Sequence, residues 1–203
     1  MLRLVIVITT VLISIHSYSQ ISFGPKAGIN IATWTTEGSN TITGFQGGVV
    51  AQFQFNEEWS VQPELLIDNK GVDLANFIPN NPMRYTLSYL TLPVVLGYKV
   101  RGITFRAGAY SSALLKSGIE INSRELDEEE IDDSFFEDWD WGLTAGATLD
   151  ITPGLGFEVL YYFGFPDVVD ITFGDTNGQF LAHLNEGKNR VLQLGMYYKF
   201  NSE

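Results

Sequence analysis

Residues 59–71 read WSVQPELLIDNKG, and the parity of this stretch decides the fold. Its odd positions are Trp59, Val61, Pro63, Leu65 and Ile67, and its even positions are Ser60, Gln62, Glu64, Leu66, Asp68 and Lys70. A period of two is that of a β-strand with two unlike faces. A soluble protein would turn the charged face to water and the apolar face to a core. A barrel set in lipid inverts the assignment, and Glu64, Asp68 and Lys70 then point into the lumen.

The rest of the chain decides between the two. Aromatic residues make up 13% of the 203 residues, glycines number 20, and charged residues are only 18%. Ordinary soluble domains carry about 25% charged residues. The formal net charge of -12 is the wrong sign for nucleic acid, whose phosphates need a basic face. There is no cysteine, so disulfides, thiolate metal sites, a cysteine nucleophile and N-terminal lipidation are excluded. His16 and His183 are the only histidines, too few for a multi-histidine metal site or relay. No cofactor, metal site or catalytic residue is expected.

The first residues read as a secretory signal. Arg3 supplies the positive start, LVIVITTVLISI (Leu4–Ile15) the apolar stretch, and Ser17 and Ser19 the small residues before a cleavage site. The apolar run is shorter than the ~20 residues a spanning helix needs. The expected organisation is a signal peptide over 1–19, removed with His16, and one barrel domain over 20–203.

Period-2 segments recur near 21–32, 43–55, 58–70, 86–99, 103–116, 139–151, 155–165 and 189–200. NEE after Phe55, VRG after Lys99 and TPG after Ile151 are short connections. The stretches 33–42, 71–85, 117–138 and 166–188 are long. Short turns at one end and long loops at the other, with an even strand count, is the up-and-down pattern of outer-membrane barrels. On the sixth segment Trp139, Trp141, Leu143, Ala145, Ala147 and Leu149 oppose Asp140, Gly142, Thr144, Gly146, Thr148 and Asp150. The apolar face ends in aromatics: Trp59, Tyr98, Phe105, Phe157 and Phe200 toward the short turns, Trp139, Trp141, Phe163 and Phe165 toward the long loops. Two such girdles around an apolar band favour the membrane barrel over a lipocalin-like soluble one. Pro63, and Pro93 in YLTLPVVLGYK, each remove a ladder hydrogen bond and mark one irregular patch of the wall.

The chain also resembles a known family. GPKAGINIA, VQPELLIDNKG, YLTLPVVLGYK, FRAGAYSSALL, DWGLTAGATLD and KNRVLQLGMYYKF are similar to segments of the PorT-like outer-membrane β-barrels of Bacteroidetes-type bacteria. The resemblance covers nearly the whole chain after residue 19, and QPELL…KG followed by YL…LP is its most specific part. It implies a small eight-stranded barrel. PorT itself is associated with type IX secretion, a role that a shared fold does not carry over.

Parity places ten charges inward, five of each sign: Lys26, Glu64, Asp68, Lys70, Lys99, Arg106, Asp140, Asp150, Glu158 and Lys199. Buried charges must be paired, so a self-neutralising structural network is expected. An ion path, or a carboxylate pair such as Glu64 with Glu158 acting in hydrolysis, is the sharper alternative. For Glu64 the expected base is Arg106 or Lys99, with Lys26 third. Tyr110, Tyr162, Tyr197, Gln46, Gln52, Gln62 and Gln193 also point inward, so the lumen is expected to be filled.

Residues 117–138 hold ten acids and one arginine, the pattern of a solvated exterior loop. Calcium would want carboxylates at spacings this loop lacks, although cations could bridge it to lipopolysaccharide. FFEDWDW (Phe135–Trp141) reads as part of the upper girdle, and His183 as a surface residue of the last long loop. The expected protein is a non-enzymatic outer-membrane barrel whose exterior loops meet lipopolysaccharide or a protein partner. The alternative is a narrow channel or a PorT-like accessory of type IX secretion.

Overall fold

Eight long antiparallel strands form the wall: β1 Gln20–Trp34, β2 Ile42–Gln54, β3 Trp59–Asp73, β4 Met83–Val100, β5 Ile103–Ile121, β6 Trp139–Thr152, β7 Leu155–Gly174 and β8 Phe180–Tyr198. A two-residue strand, Arg124–Glu125, pairs β5, and Phe200–Asn201 continues β8 against β1. The computed structural model describes residues 20–35, 39–73, 83–121, 124–125, 137–174 and 180–201. The expected signal peptide and most of the acidic loop lie outside these residues.

Each strand pairs its neighbours in sequence, and β1 also pairs β8, so the sheet closes. Following the register once around shows the stagger. Ile21 leads through Phe53, Val61, Leu96, Ala107, Ala145, Tyr161 and Leu192 to Ile31. From 21 to 31 is a stagger of ten residues. At about 3.3 Å per residue over eight strands about 4.8 Å apart, this tilts the strands by about 40°.

The short turns follow their sequences. Arg101 and Gly102 both have positive φ, 48° and 87°, the type I′ hairpin geometry that joins Val100 to Ile103. Asn56 accepts hydrogen bonds at Oδ1 from the backbone N–H groups of Glu58 and Trp59, at 2.9 and 2.8 Å, and so closes the β2–β3 turn.

At the other end the strands run further than expected. β4, β5, β7 and β8 have 18 to 20 residues, where about 9–11 suffice to cross a bilayer. Residues 166–188, read as a long loop, are largely a hairpin continuing β7 and β8, and His183 pairs Thr172 within it. Pro166 masked this continuation. The register jumps between Phe163 and Asp167, so extra residues around the proline are absorbed as an irregularity and the ladder resumes. On β5, Leu115 is the extra residue of a bulge opposite Ser88 and Tyr89.

Burial confirms the inverted parity. Trp59, Leu65 and Ile67 are exposed outside, while Ser60, Gln62, Glu64, Leu66, Asp68 and Lys70 are buried inside. The outer belt holds exposed Phe45, Leu90, Leu96, Leu143 and Met196, bounded by tilted Trp59–Tyr98 at 4.6 Å and edge-on Trp141–Phe165 at 5.2 Å. A core lined with ions and a surface lined with leucine is the reverse of a water-soluble domain.

The two prolines do mark one patch. Between β2 and β3 the register runs from Val50–Glu64 to Phe53–Val61 and lapses at Pro63. Between β3 and β4 it runs from Pro63–Val94 to Leu66–Thr91 and lapses opposite Pro93. Each gap contains one residue with no N–H to give. Their side chains differ: Pro63 faces outward and Pro93 is buried.

Candidate functional site

The lumen is the place where polar chemistry is gathered, and it is stacked in layers. Toward the short turns, Lys26 donates to Glu64 Oε2 at 2.7 Å and to Glu158 Oε1. Arg106 Nε lies 3.2 Å from Glu158 Oε2 and donates to Thr148 Oγ1 at 2.5 Å. Gln62 donates to Glu64 Oε1 at 2.6 Å. Two bases and two acids make this layer formally neutral, which an apolar wall around it requires.

These pairs share a construction. Lys26 is level with Gly48 on β2, which is level with Leu66 on β3, two residues from Glu64. Arg106 is level with Gly146 on β6, which is level with Leu160 on β7, two residues from Glu158. In both sets the middle strand raises no side chain, and the base lies across it to an acid on the third strand. Glu64 therefore pairs with Lys26, not with Arg106 or Lys99 as the order of preference had it. Lys26 reaches it over a glycine, whereas Arg106 has its own glycine and its own glutamate.

These glycines do more than leave room. A Cβ at Gly146 would fall 1.9 Å from the Val159 carbonyl oxygen, and one at Gly48 would fall 2.0 Å from that of Leu65. The backbones approach where the wall curls, so only glycine fits. At Gly195 the neighbours are instead side chains, Gln46 Nε2 at 2.9 Å and Lys26 Cε at 3.1 Å.

Above this layer Tyr110, Tyr162, Leu160, Val191, Ala32 and Ile42 form a buried apolar cluster, with the Tyr110 and Tyr162 rings edge-on at 5.0 Å. A second polar group follows. Lys70 Nζ is 3.1 Å from Asp140 Oδ2 and 3.9 Å from Asp68 Oδ2, donates to Ser112 Oγ at 3.0 Å, and lies 4.8 and 4.9 Å from the Tyr89 and Tyr110 ring centres. Asp68 accepts from Thr91 at 2.8 Å, and Asp140 from Tyr110 at 3.2 Å and Asn189 at 3.1 Å. Over this group, at the long-loop end, Trp34, Val72, Leu87, Tyr89 and Val168 close an apolar cap.

Lys99 and Asp150 depart from the expected interior. They pair at 3.4 Å at the short-turn mouth with side chains 44% and 37% exposed, because the strands end there. Lys199, buried beside them, donates to Gln52 Oε1 at 2.6 Å, and the Tyr197 hydroxyl donates to Asp150 at 3.0 Å.

The inward carboxylates are engaged by bases. Glu64 and Glu158 are 3% and 1% exposed and are both held by Lys26, so an ammonium group stands between the two carboxylates. Ser112 beside Lys70 is a pairing that the sequence reading missed, since the two are 42 residues apart. An ammonium held by two carboxylates has no lone pair with which to take the serine proton. The contacts of Thr91, Thr148 and Asn189 with these charges were also missed, although parity places Thr148 on the polar face. Parity puts neutral polar residues inward without saying which charge each will serve.

The acidic stretch contributes the end of β5 and Arg124–Glu125, and Phe135 and Phe136 fall outside the described residues. Trp139 and Trp141 stand on the outer face, 59% and 53% exposed. Among the described residues no three His, Cys, Asp or Glu side chains are grouped to hold a metal ion.

Residues 16–170 match the family model described as outer membrane protein beta-barrel domain. Among solved structures, Neisserial surface protein A aligns with a TM-score of 0.53 at 13% identity, over 88% of this chain and 97% of its own. A major outer membrane protein from Thermus thermophilus aligns at 0.49 and 13%, over 89% and 99%. Ail, the attachment invasion locus protein of Yersinia pestis, aligns at 0.47 and 11%, also over 89% and 99%. At 13% identity the likeness to Neisserial surface protein A is one of fold. No curated protein sequence matches the chain.

Proposed function

The chain belongs to the outer membrane protein beta-barrel domain family, and on that premise we propose that it is a non-enzymatic integral barrel, filled by its own side chains, that works through its exterior. The single observation that carries this reading is the layered lumen. Two base–glycine–acid sets, joined where Lys26 meets Glu158, lie under a tyrosine layer, a lysine–aspartate group and an apolar cap. Eight strands leave an interior only just wide enough for side chains, and here Lys26, Glu64, Arg106, Glu158, Lys70, Asp68 and Asp140 are ion-paired with one another while Lys199 is held by Gln52. The eight charges buried in the lumen, and Lys99 with Asp150 at its mouth, have a structural role in this reading.

The exterior supports contact with outer-leaflet lipid or lipopolysaccharide. Lys188 and Arg190 are partly exposed on β8 in a chain of net charge -12. They flank the upper girdle: Arg190 lies 5.9 Å from the Phe163 ring centre, and Lys188 donates to the Phe165 carbonyl at 2.9 Å. Cations beside girdle aromatics meet the anionic headgroups of a bilayer. A protein partner on the extended β7–β8 hairpin is compatible with the same surface.

The transport reading, as a narrow channel or a PorT-like accessory of type IX secretion, rests on the motif resemblance. Purified protein in a planar bilayer separates the two. A silent membrane is expected. Steady conductance in the nanosiemens range would replace the filled-barrel reading with transport.

A further inference from the structure

The wall carries a trough where its ladder lapses. It has a volume of about 580 Å³ and is lined on the outside by Phe23, Pro25, Val49, Ala51, Pro63, Leu65, Leu92 and Phe200. Gly24, Val50 and Glu64 add to its floor, but the Val50 and Glu64 side chains point into the lumen, so the trough presents no charge. Its base is made of small or ring-closed residues, Pro25, Ala51 and Pro63. Its edges are large: Phe23 and Phe200, with ring centres 5.9 Å apart, at one end and Leu65 and Leu92 at the other. The two gaps in pairing, at Pro63 and opposite Pro93, coincide with it.

We propose that this trough holds one acyl chain of a periplasmic-leaflet phospholipid as an ordered ligand, in contrast to the fluid lipid around the rest of the belt. Three observations select that occupant. The trough opens onto the apolar belt, where the solvent is hydrocarbon. It starts at Phe200 in the short-turn girdle, which is where a periplasmic headgroup sits, and Pro63 lies four residues, or about 13 Å, along β3 from the girdle residue Trp59. It crosses from the β8 continuation to β4, four strand spacings or roughly 19 Å, an elongated shape that suits a chain better than a compact ligand. The volume falls within the range of pockets that bind small molecules. The proposal rests on the belt facing lipid.

The test uses the refolded full barrel in vesicles of phosphatidylethanolamine and phosphatidylglycerol, doped with a phospholipid bearing a diazirine on one acyl chain. After illumination, labelled peptides are mapped by mass spectrometry. Labelling at Val49–Ala51, Pro63–Leu65 and Leu92 is expected to exceed that at Leu143–Leu149, an equally exposed part of the belt, by several-fold. Ala51→Trp, which fills the trough from an outward position, should bring the two regions level. Even labelling around the belt in the unmodified protein would overturn the proposal and leave the membrane reading intact. Absence of label from the whole belt would overturn both. The chain has no cysteine, so A51C supplies a single thiol. Efficient disulfide dimers of A51C would show a second copy in the trough and overturn the lipid.

Discussion

Lys26 on β1 and Arg106 on β5 stand half a barrel apart in matching settings, each level with a glycine on the next strand and ion-paired to a glutamate on the strand beyond. Lys26 then joins the two sets by also holding Glu158. Opposite walls of the barrel are thus tied through charges rather than through a packed apolar core. Buried ion pairs of this kind contribute little net stability against an apolar substitute, but breaking one leaves a stranded charge.

Lys26→Met therefore should be costly, because Glu64 loses its cation while Arg106 is already engaged by Glu158. The expected loss is about 3–5 kcal/mol, read as a lower urea midpoint for unfolding in lipid vesicles. Lys26→Met with Glu64→Gln removes both charges and keeps Arg106 with Glu158. The double variant should be more stable than the single one. Additive losses would mean that the pair is not coupled.

Gly146→Ala is expected to damage the barrel, since its methyl group would meet the Val159 carbonyl at 1.9 Å. Relief requires the β6 and β7 backbones to part, at a cost of about 1–3 kcal/mol or more. Gly47→Ala is the control: it lies one position from inward Gly48, and the nearest atom to its Cβ is the Lys26 carbonyl oxygen at 3.9 Å. Refolding yield, followed by the gel shift between folded and heated protein, should fall for the first and hold for the second. Equal behaviour would remove the backbone-approach account of the inward glycines.

Export is expected to remove residues 1–19 and deliver a chain beginning at Gln20 to the outer membrane. N-terminal mass spectrometry of protein extracted from isolated outer membranes checks the site. A chain retaining Met1 would overturn the assignment of Leu4–Ile15 as a signal segment.

Strand parity was legible because a β-strand has a period of two and a charge cannot face lipid cheaply, so WSVQPELLIDNKG admits one orientation. The same rule, with short turns alternating with long connections, carries eight strands and closure. Pro63 and Pro93 were legible as a fault in the wall, since proline lacks the N–H that a ladder uses. The extent of β7 and β8 was not. Pro166 reads as a stop, and only the hairpin pairing of residues 167–174 with residues 180–188 of the following strand overrides it. Nor could parity choose partners among ten inward charges. That choice depends on the registers between neighbouring strands, which set Gly48 beside Lys26 and Gly146 beside Arg106, and on the closure that brings Lys26 to Glu158. Register belongs to a pair of strands and closure to the whole sheet, and no single strand contains either.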